Sequence, residues 1–343
     1  MISNTTTLTF VSTADGSYED CYVSDNPELN VFPYLYIAVI CLGIPANLFS
    51  LFVSWQHIRQ GNELGVYLFS LALSDLLFIM GLPAWVDFMF NDKWRFSGNA
   101  CLLCVFILFT NFYTSVALLC CIALDRYLAV VHPLKFPSLR SLRTAVSITI
   151  SAWVLTIAFI LITVSRKEIY DEKYDICLDV FPLGKRRKQV FIARFFVGFF
   201  GPSVLVWFCS WRICVAVQNN QATRDLERRR VRRLMGAVLL TLWLCFGPIH
   251  ITFLLRAVLE KCTPPYWLFC LYKVSKALSC LNCLVDPLLY CFITRAGRKN
   301  ITQAFLLLQR KGRFGSNEEP RTSQNEQYCC SEVTVCRSQT DVC

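Results

Sequence analysis

A chain of 343 residues with 55% apolar and 17% charged side chains departs from the soluble norm of roughly 25% charged and about 45–50% apolar. The apolar residues gather into blocks of about twenty with little charge, the length that crosses a bilayer as helix. Those two facts exclude a soluble enzyme, a nucleic-acid binder and a disordered scaffold, and they turn the net charge of +10 into a question of membrane orientation.

Seven blocks follow in chain order: Phe32–Trp55, Leu64–Phe90, Ala100–Val131, Thr144–Val164, Val190–Val217, Leu234–Leu259 and Trp267–Thr294. Their continuity predicts helices, because a membrane barrel alternates apolar and polar residues in segments of about ten. The third and fifth are longer than a bilayer needs, so tilt or extra turns are expected. The fold class is thus an all-α membrane protein, a seven-helix bundle over 32–294. Residues 1–31 precede it as an extracellular segment, 295–309 follow as a short amphipathic eighth helix on the membrane surface, and 310–343 read as a disordered cytoplasmic tail.

Lysine and arginine set the direction. Residues 1–32 hold none, whereas Arg224, Arg228, Arg229, Arg230, Arg232 and Arg233 lie between spans five and six, and Arg295, Arg298 and Lys299 follow span seven. Positive charge marks the cytoplasmic side, so the N-terminus is expected outside and the C-terminus inside a cell-surface membrane. No basic-then-apolar leader is visible, and span one is expected to act as its own insertion signal. The loop between spans four and five is the exception, with Arg166, Lys167, Lys173 and the run Lys185-Arg186-Arg187-Lys188 on the outer side. It reads either as a solvated loop balanced by Glu168, Asp171, Glu172, Asp175 and Asp179, or as a funnel for anions.

Most of the nineteen cysteines fall within spans, where a free thiol behaves as a small apolar group. Cys101, at the outer start of span three, and Cys177, in the long outer loop, are the expected bridge. Cys21 is expected to pair with Cys262, with Cys270 as the rival partner. The Cys101/Cys104 and Cys280/Cys283 pairs have zinc-like spacing but no nearby histidine, so no metal is expected. Asn4-Thr5-Thr6 is an outward glycosylation sequon.

Ionisable groups inside a membrane mark functional positions. Asp75 in span two and Asp286 in span seven, with Asn111, Ser115 and Asn282 at matching depth, form a candidate sodium or proton site. Two neighbouring carboxylates in a dry site do not both ionise cheaply, so one carries a proton or a cation bridges them. No other cofactor is expected. Asp125-Arg126-Tyr127 ends span three, and Pro248 and Pro287-Leu288-Leu289-Tyr290 permit kinks in spans six and seven.

Taken with Asn47, Trp153 and Pro202, these landmarks resemble the rhodopsin-like (class A) G-protein-coupled receptors in all seven spans. The closer resemblance is to the proton-sensing group, through Asn62-Glu63-Leu64-Gly65-Val66-Tyr67-Leu68, Leu82-Pro83-Ala84-Trp85-Val86-Asp87, His132-Pro133-Leu134 and Ser279-Cys280-Leu281-Asn282-Cys283. The Cys21–Cys262 tether is also a feature of that group. Yet the chain has three histidines, of which only His250 can line an outer pocket; Lys273 and Thr156 stand where relatives place a His and a buried Glu. The resemblance therefore points to the histidine-poor branch, which responds to oxidised fatty acids and related lipids.

The charges fit that reading. Arg194, Arg256, Lys273 and Lys276 are expected to converge on one cavity as receivers of a carboxylate or phosphate, unless acids such as Asp87 neutralise them. Phe109, Phe112, Tyr113 and Phe246 would wall a lipid tail. The resemblance implies no enzyme activity, heterotrimeric G proteins as partners, and kinases and arrestin acting on tail residues such as Ser316, Thr322 and Ser331. Asp125, Arg126, Tyr127, Pro248, Pro287 and Tyr290 would be the switch. Arg228 replaces the acid that often holds Arg126 from span six, so that inner lock is expected to be weak. Two alternatives stand beside the lipid receptor: a proton sensor built on Asp75 and Asp286, and a seven-span transporter or channel.

Overall fold

The computed structural model describes residues 8–12, 18–22, 31–91, 93–136, 138–172, 175–178, 183–219, 225–260 and 266–293. Among them, seven helices are long and apolar enough to cross a membrane: Phe32–Arg59, Leu64–Asn91, Gly98–Val131, Leu142–Thr163, Lys185–Gln218, Arg228–Leu259 and Trp267–Leu289. These are spans one to seven. Span three is the axis, packed against spans two, four and five, while span seven closes the ring against spans one, two and six. The eighth helix, the tail, Asn4, Cys262 and the side chains of Cys21 and Tyr290 lie outside the described residues. Leu8–Ser12 and Tyr18–Tyr22 pair as an antiparallel hairpin within what the sequence marks only as an N-terminal segment.

The helices are greasy on both sides, as a lipid environment requires. Inside, Phe78, Phe112 and Phe246 form a stack with ring centroids 6.4 and 5.9 Å apart. Outside, Leu155 and Ile162 of span four are 71% and 72% exposed, a pattern that water would penalise and hydrocarbon does not.

Proline shapes spans five and six in the same way. A π-helical turn at Phe196–Phe200 precedes Pro202, and another at Leu242–Phe246 precedes Pro248. Proline has no N–H to give and its ring crowds the carbonyl one turn back, so the helix widens just before it. Span seven breaks at Leu281, between Tyr266–Cys280 and Asn282–Ile293. Polar side chains tie the spans together: Asn47 Nδ2 donates to the Cys283 carbonyl at 2.8 Å, and Trp153 Nε1 to Ser70 Oγ at 2.6 Å.

Cys101 and Cys177 are bridged, with Cα atoms 5.8 Å apart across 76 residues of sequence. The bridge pins the hairpin of Tyr170–Asp171 and Ile176–Cys177 to the start of span three. Cys270, the rival partner for Cys21, is a free thiol. Removing a native bridge typically costs about 2–5 kcal/mol. Cys177→Ser is therefore expected to lower the melting midpoint of the purified receptor, and reductant to lower the wild type to the same value. Equal midpoints for variant and untreated wild type would contradict this.

Candidate functional site

Four constellations lie along the bundle. At the end carrying the disulfide, Arg194 projects from span five and is 3% exposed. Its guanidinium sits 3.7 Å from the Phe109 ring centroid, and one Nη reaches Thr163 Oγ1 at 3.4 Å. Its Nε has no hydrogen-bond partner, and no carboxylate lies within ion-pair distance of it among the described residues. Arg187, two turns earlier on the same helix, borders the same void together with Glu168, Phe191 and Leu178. The void is about 20 Å³, room for one water. In the sequence Arg187 is indistinguishable from the rest of the basic run 185–188; its burial to 7% separates it from Lys185 and Arg186.

Of the four cations expected in one cavity, Arg194 and Lys276 border different voids, while Arg256 and Lys276 lie against the same Tyr272 ring at 4.4 and 5.1 Å. Arg256 is fully buried and committed to Glu260, with Nε–Oε2 2.5 Å and Nη2–Oε1 3.2 Å. Glu260 also accepts the Leu183 N–H at 2.8 Å, and its backbone carbonyl accepts Lys188 Nζ at 3.1 Å. This carboxylate therefore clips span six to the start of span five. Lys276 belongs to a second void of about 10 Å³, near Trp85, Leu108, Phe112, Leu178 and Cys280. Lys273 lies 5.2 Å from the Phe269 ring. Asp87, a candidate neutraliser, pairs with Arg95 instead.

Below the Arg194 void runs an aromatic relay. Phe109 stacks on Tyr113 at 6.3 Å, Tyr113 meets His250 edge-on at 5.8 Å, and His250 Nδ1 donates to the Phe246 carbonyl at 2.8 Å. That carbonyl belongs to the π turn ahead of Pro248. His250 is fully buried against Phe199 and Phe253, and its Nε2 has no hydrogen-bond partner among the described residues. The relay needs a glycine opposite it: a Cβ on Gly198 would overlap the Tyr113 ring and stand 2.8 Å from His250 Nε2. Overpacking of this kind costs about 1–3 kcal/mol. Gly198→Ala is expected to lower the melting midpoint and shift ligand-free signalling together; a neutral result would show that the relay is loosely packed.

Mid-bundle, Asp75 Oδ1 accepts Asn111 Nδ2 at 2.9 Å and Asn282 Nδ2 at 3.3 Å, with Cys283 Sγ at 3.6 Å. Asp75 Oδ2, both Asp286 oxygens and Ser115 Oγ are buried without a hydrogen-bond partner among the described residues. Of the expected group, Asp75, Asn111 and Asn282 are joined by hydrogen bonds. The bare oxygens suit a proton or a hard monovalent cation. No cluster of three or more His, Cys, Asp or Glu side chains exists among the described residues to hold a transition metal.

At the opposite end, Arg126 pairs with Asp125 at 2.5 Å and with Glu63 at 3.1 Å, and Arg140 reaches the same Glu63 oxygen at 3.5 Å. The acid that holds Arg126 comes not from span six but from Glu63, which lies between spans one and two. Tyr127 Oη and His132 Nε2 are 3.1 Å apart. Pro248 and Pro287 sit within helical segments of spans six and seven.

Seven apolar helices around a central span three, the Cys101–Cys177 bridge and a paired Asp125-Arg126 at the other end define a seven-helix membrane receptor. Residues 46–290 match the family described as 7 transmembrane receptor (rhodopsin family), and the chain belongs to it. It is accordingly a multi-pass receptor of the plasma membrane that couples to G proteins, and not an enzyme. The "G-protein coupled receptor 65" of Homo sapiens is 40% identical over 283 residues, 78% of this chain and 84% of that one. The "G-protein coupled receptor 68" of Homo sapiens is 32% identical over 311 residues, 88% and 85% respectively. The "Lysophosphatidic acid receptor 6" of Gallus gallus is 26% identical over 291 residues, 80% and 93%.

Proposed function

We propose that the receptor is switched by an anionic lipid, a fatty acid or lysolipid, arriving from outside the cell at the disulfide end. The observation that carries this is Arg194, a buried guanidinium with an idle Nε and no carboxylate within ion-pair distance among the described residues. A buried charge without an ion partner is costly, and a charged ligand oxygen is the partner that relieves the cost. A relative named as a lysophosphatidic acid receptor supports the ligand class. Arg194 binds the head group; Phe109, Phe112, Tyr113 and Phe246 receive the chain.

Seating an anion on Arg194 draws its guanidinium off the Phe109 face. Phe109, Tyr113 and His250 then repack, and the His250 hydrogen bond carries the change to the Phe246 carbonyl and the Pro248 kink. Span six moves at its far end, and Arg126 leaves Glu63 for a G-protein helix. This is ligand-biased selection between two states, with no covalent step. Kinases and arrestin would act on the tail at the cytoplasmic side. A bound sodium ion at Asp75 and Asp286 would favour the resting state.

A second reading has its own observation. The bare oxygens of Asp75 and Asp286 suit a site that takes up a proton on activation. One experiment separates the two. Cells expressing the chain are stepped from external pH of about 8 to about 6, a window that brackets ordinary histidine and shifted carboxylates, then challenged at constant pH with dodecanoate and dodecyl phosphate. Second-messenger output is expected to stay flat with pH and rise with the amphiphiles. A steep pH response that Asp286→Asn removes would replace the lipid reading with the proton one.

A further inference from the structure

The voids at Arg194 and at Lys276 share one wall, the side chain of Leu178, which borders both. Each is too small for a ligand, so an occupant larger than water must displace part of the lining. Leu178 is held in a strained conformation. Its φ is +68°, a left-handed conformation that a side chain with a Cβ adopts at a cost, yet the side chain is only 4% exposed. Three restraints keep it there. Cys177 before it is bridged to Cys101; its own N–H donates to the Ile169 carbonyl at 2.7 Å; and its carbonyl accepts Arg187 Nη2 at 3.2 Å.

The third restraint comes from the anion recess itself, since Arg187 borders the same void as Arg194. We propose that Leu178 is an anion-released gate: a phosphate or carboxylate bridging Arg187 and Arg194 takes the guanidinium from the Leu178 carbonyl, the strained residue relaxes, and the two voids merge into one chain-length-selective channel ending at Cys280 and Lys276. This rests on the anionic-amphiphile reading for its trigger, but the gate stands on the shared wall and the left-handed backbone. The head group remains at the arginines while the apolar chain passes Leu178 towards Leu108, Phe112 and Trp85. A head group without a chain opens the gate and leaves the second void empty. Released strain at a site of this kind is what makes a two-state element sensitive to a single hydrogen bond.

Cys280 reports the gate directly, because it is a free, buried thiol bordering the second void. The full chain in cell membranes is treated from outside with a small thiol-reactive methanethiosulfonate, and labelling at Cys280 is read by peptide mass spectrometry, with Cys280→Ser as the blank. Leu178→Ala is expected to speed Cys280 labelling about tenfold, the equivalent of a modest population shift, and Leu178→Trp to slow it. Methyl phosphate is expected to speed labelling in the wild type, and dodecyl phosphate to protect Cys280 in Leu178→Ala by filling the void. Arg187→Gln should mimic methyl phosphate without any ligand. Labelling that is the same in wild type, Leu178→Ala and Leu178→Trp overturns the gate. If the Leu178 and Arg187 variants behave as expected but neither phosphate has an effect, the gate stands and the anionic trigger falls.

Discussion

Glu63→Gln is expected to raise ligand-free signalling about five- to thirtyfold, the response to losing one or two kcal/mol from the resting state. Glu63 holds both Arg126 and Arg140, with side chains 14%, 19% and 30% exposed. Charge-assisted hydrogen bonds in such partly buried settings contribute about 1.5–3 kcal/mol each. Span six contributes Arg228 where an acid would be expected, so Glu63 is the carboxylate, besides the adjacent Asp125, that restrains Arg126 among the described residues. Glu63→Asp shortens the reach and should give a smaller rise, and Arg140→Gln a smaller one still, since it leaves the Arg126 pair intact. Basal second-messenger output at matched surface expression is the readout. Output equal to wild type in Glu63→Gln would mean that Asp125 alone restrains Arg126.

Arg194→Met separates stability from response. Methionine fills a similar volume beside Phe109 without a buried charge, so the ligand-free protein is expected to melt at the same temperature as wild type or higher. The response to dodecyl phosphate should fall by about two orders of magnitude or more, as truncating one partner of a buried charged pair costs about 2–5 kcal/mol. Arg194→Lys keeps the charge but loses the two-pronged geometry and should recover part of the response. A Met variant that melts much lower yet still responds would make Arg194 a packing residue. Arg256→Met provides the contrast: it strands Glu260 without its guanidinium and should destabilise the protein outright.

Local order along the chain carried a large part of the fold. Seven charge-poor blocks, Pro202 and Pro248, the paired Cys101 and Cys177 and the Asp125-Arg126-Tyr127 end of span three are visible residue by residue, because hydrophobic length and backbone chemistry act over a few neighbours. The meeting of Asp75, Asn111 and Asn282 was also legible, since they lie at matching depths in their spans. Whether proline would bend or widen a helix was not, because that depends on what packs beside it, such as Phe199 against Trp243 at 5.2 Å.

Only the tertiary structure decided which charges are free. Depth along the membrane puts Arg194, Arg256, Lys273 and Lys276 in one layer, but each side chain finds different neighbours there. Arg256 meets Glu260 one turn on, a spacing that helices favour. Arg194 turns to Phe109 instead, and Lys276 lies 5.6 Å from the Trp85 ring centroid. Glu63 meets Arg126 across 63 residues of sequence, and Leu178 touches two voids through a backbone conformation that nothing in its neighbours announces. Apolar periodicity places a helix at a depth and gives it a buried face; long-range pairing of ionic groups is settled by the packed geometry, where a difference of one helical position decides between a partner and a vacant guanidinium.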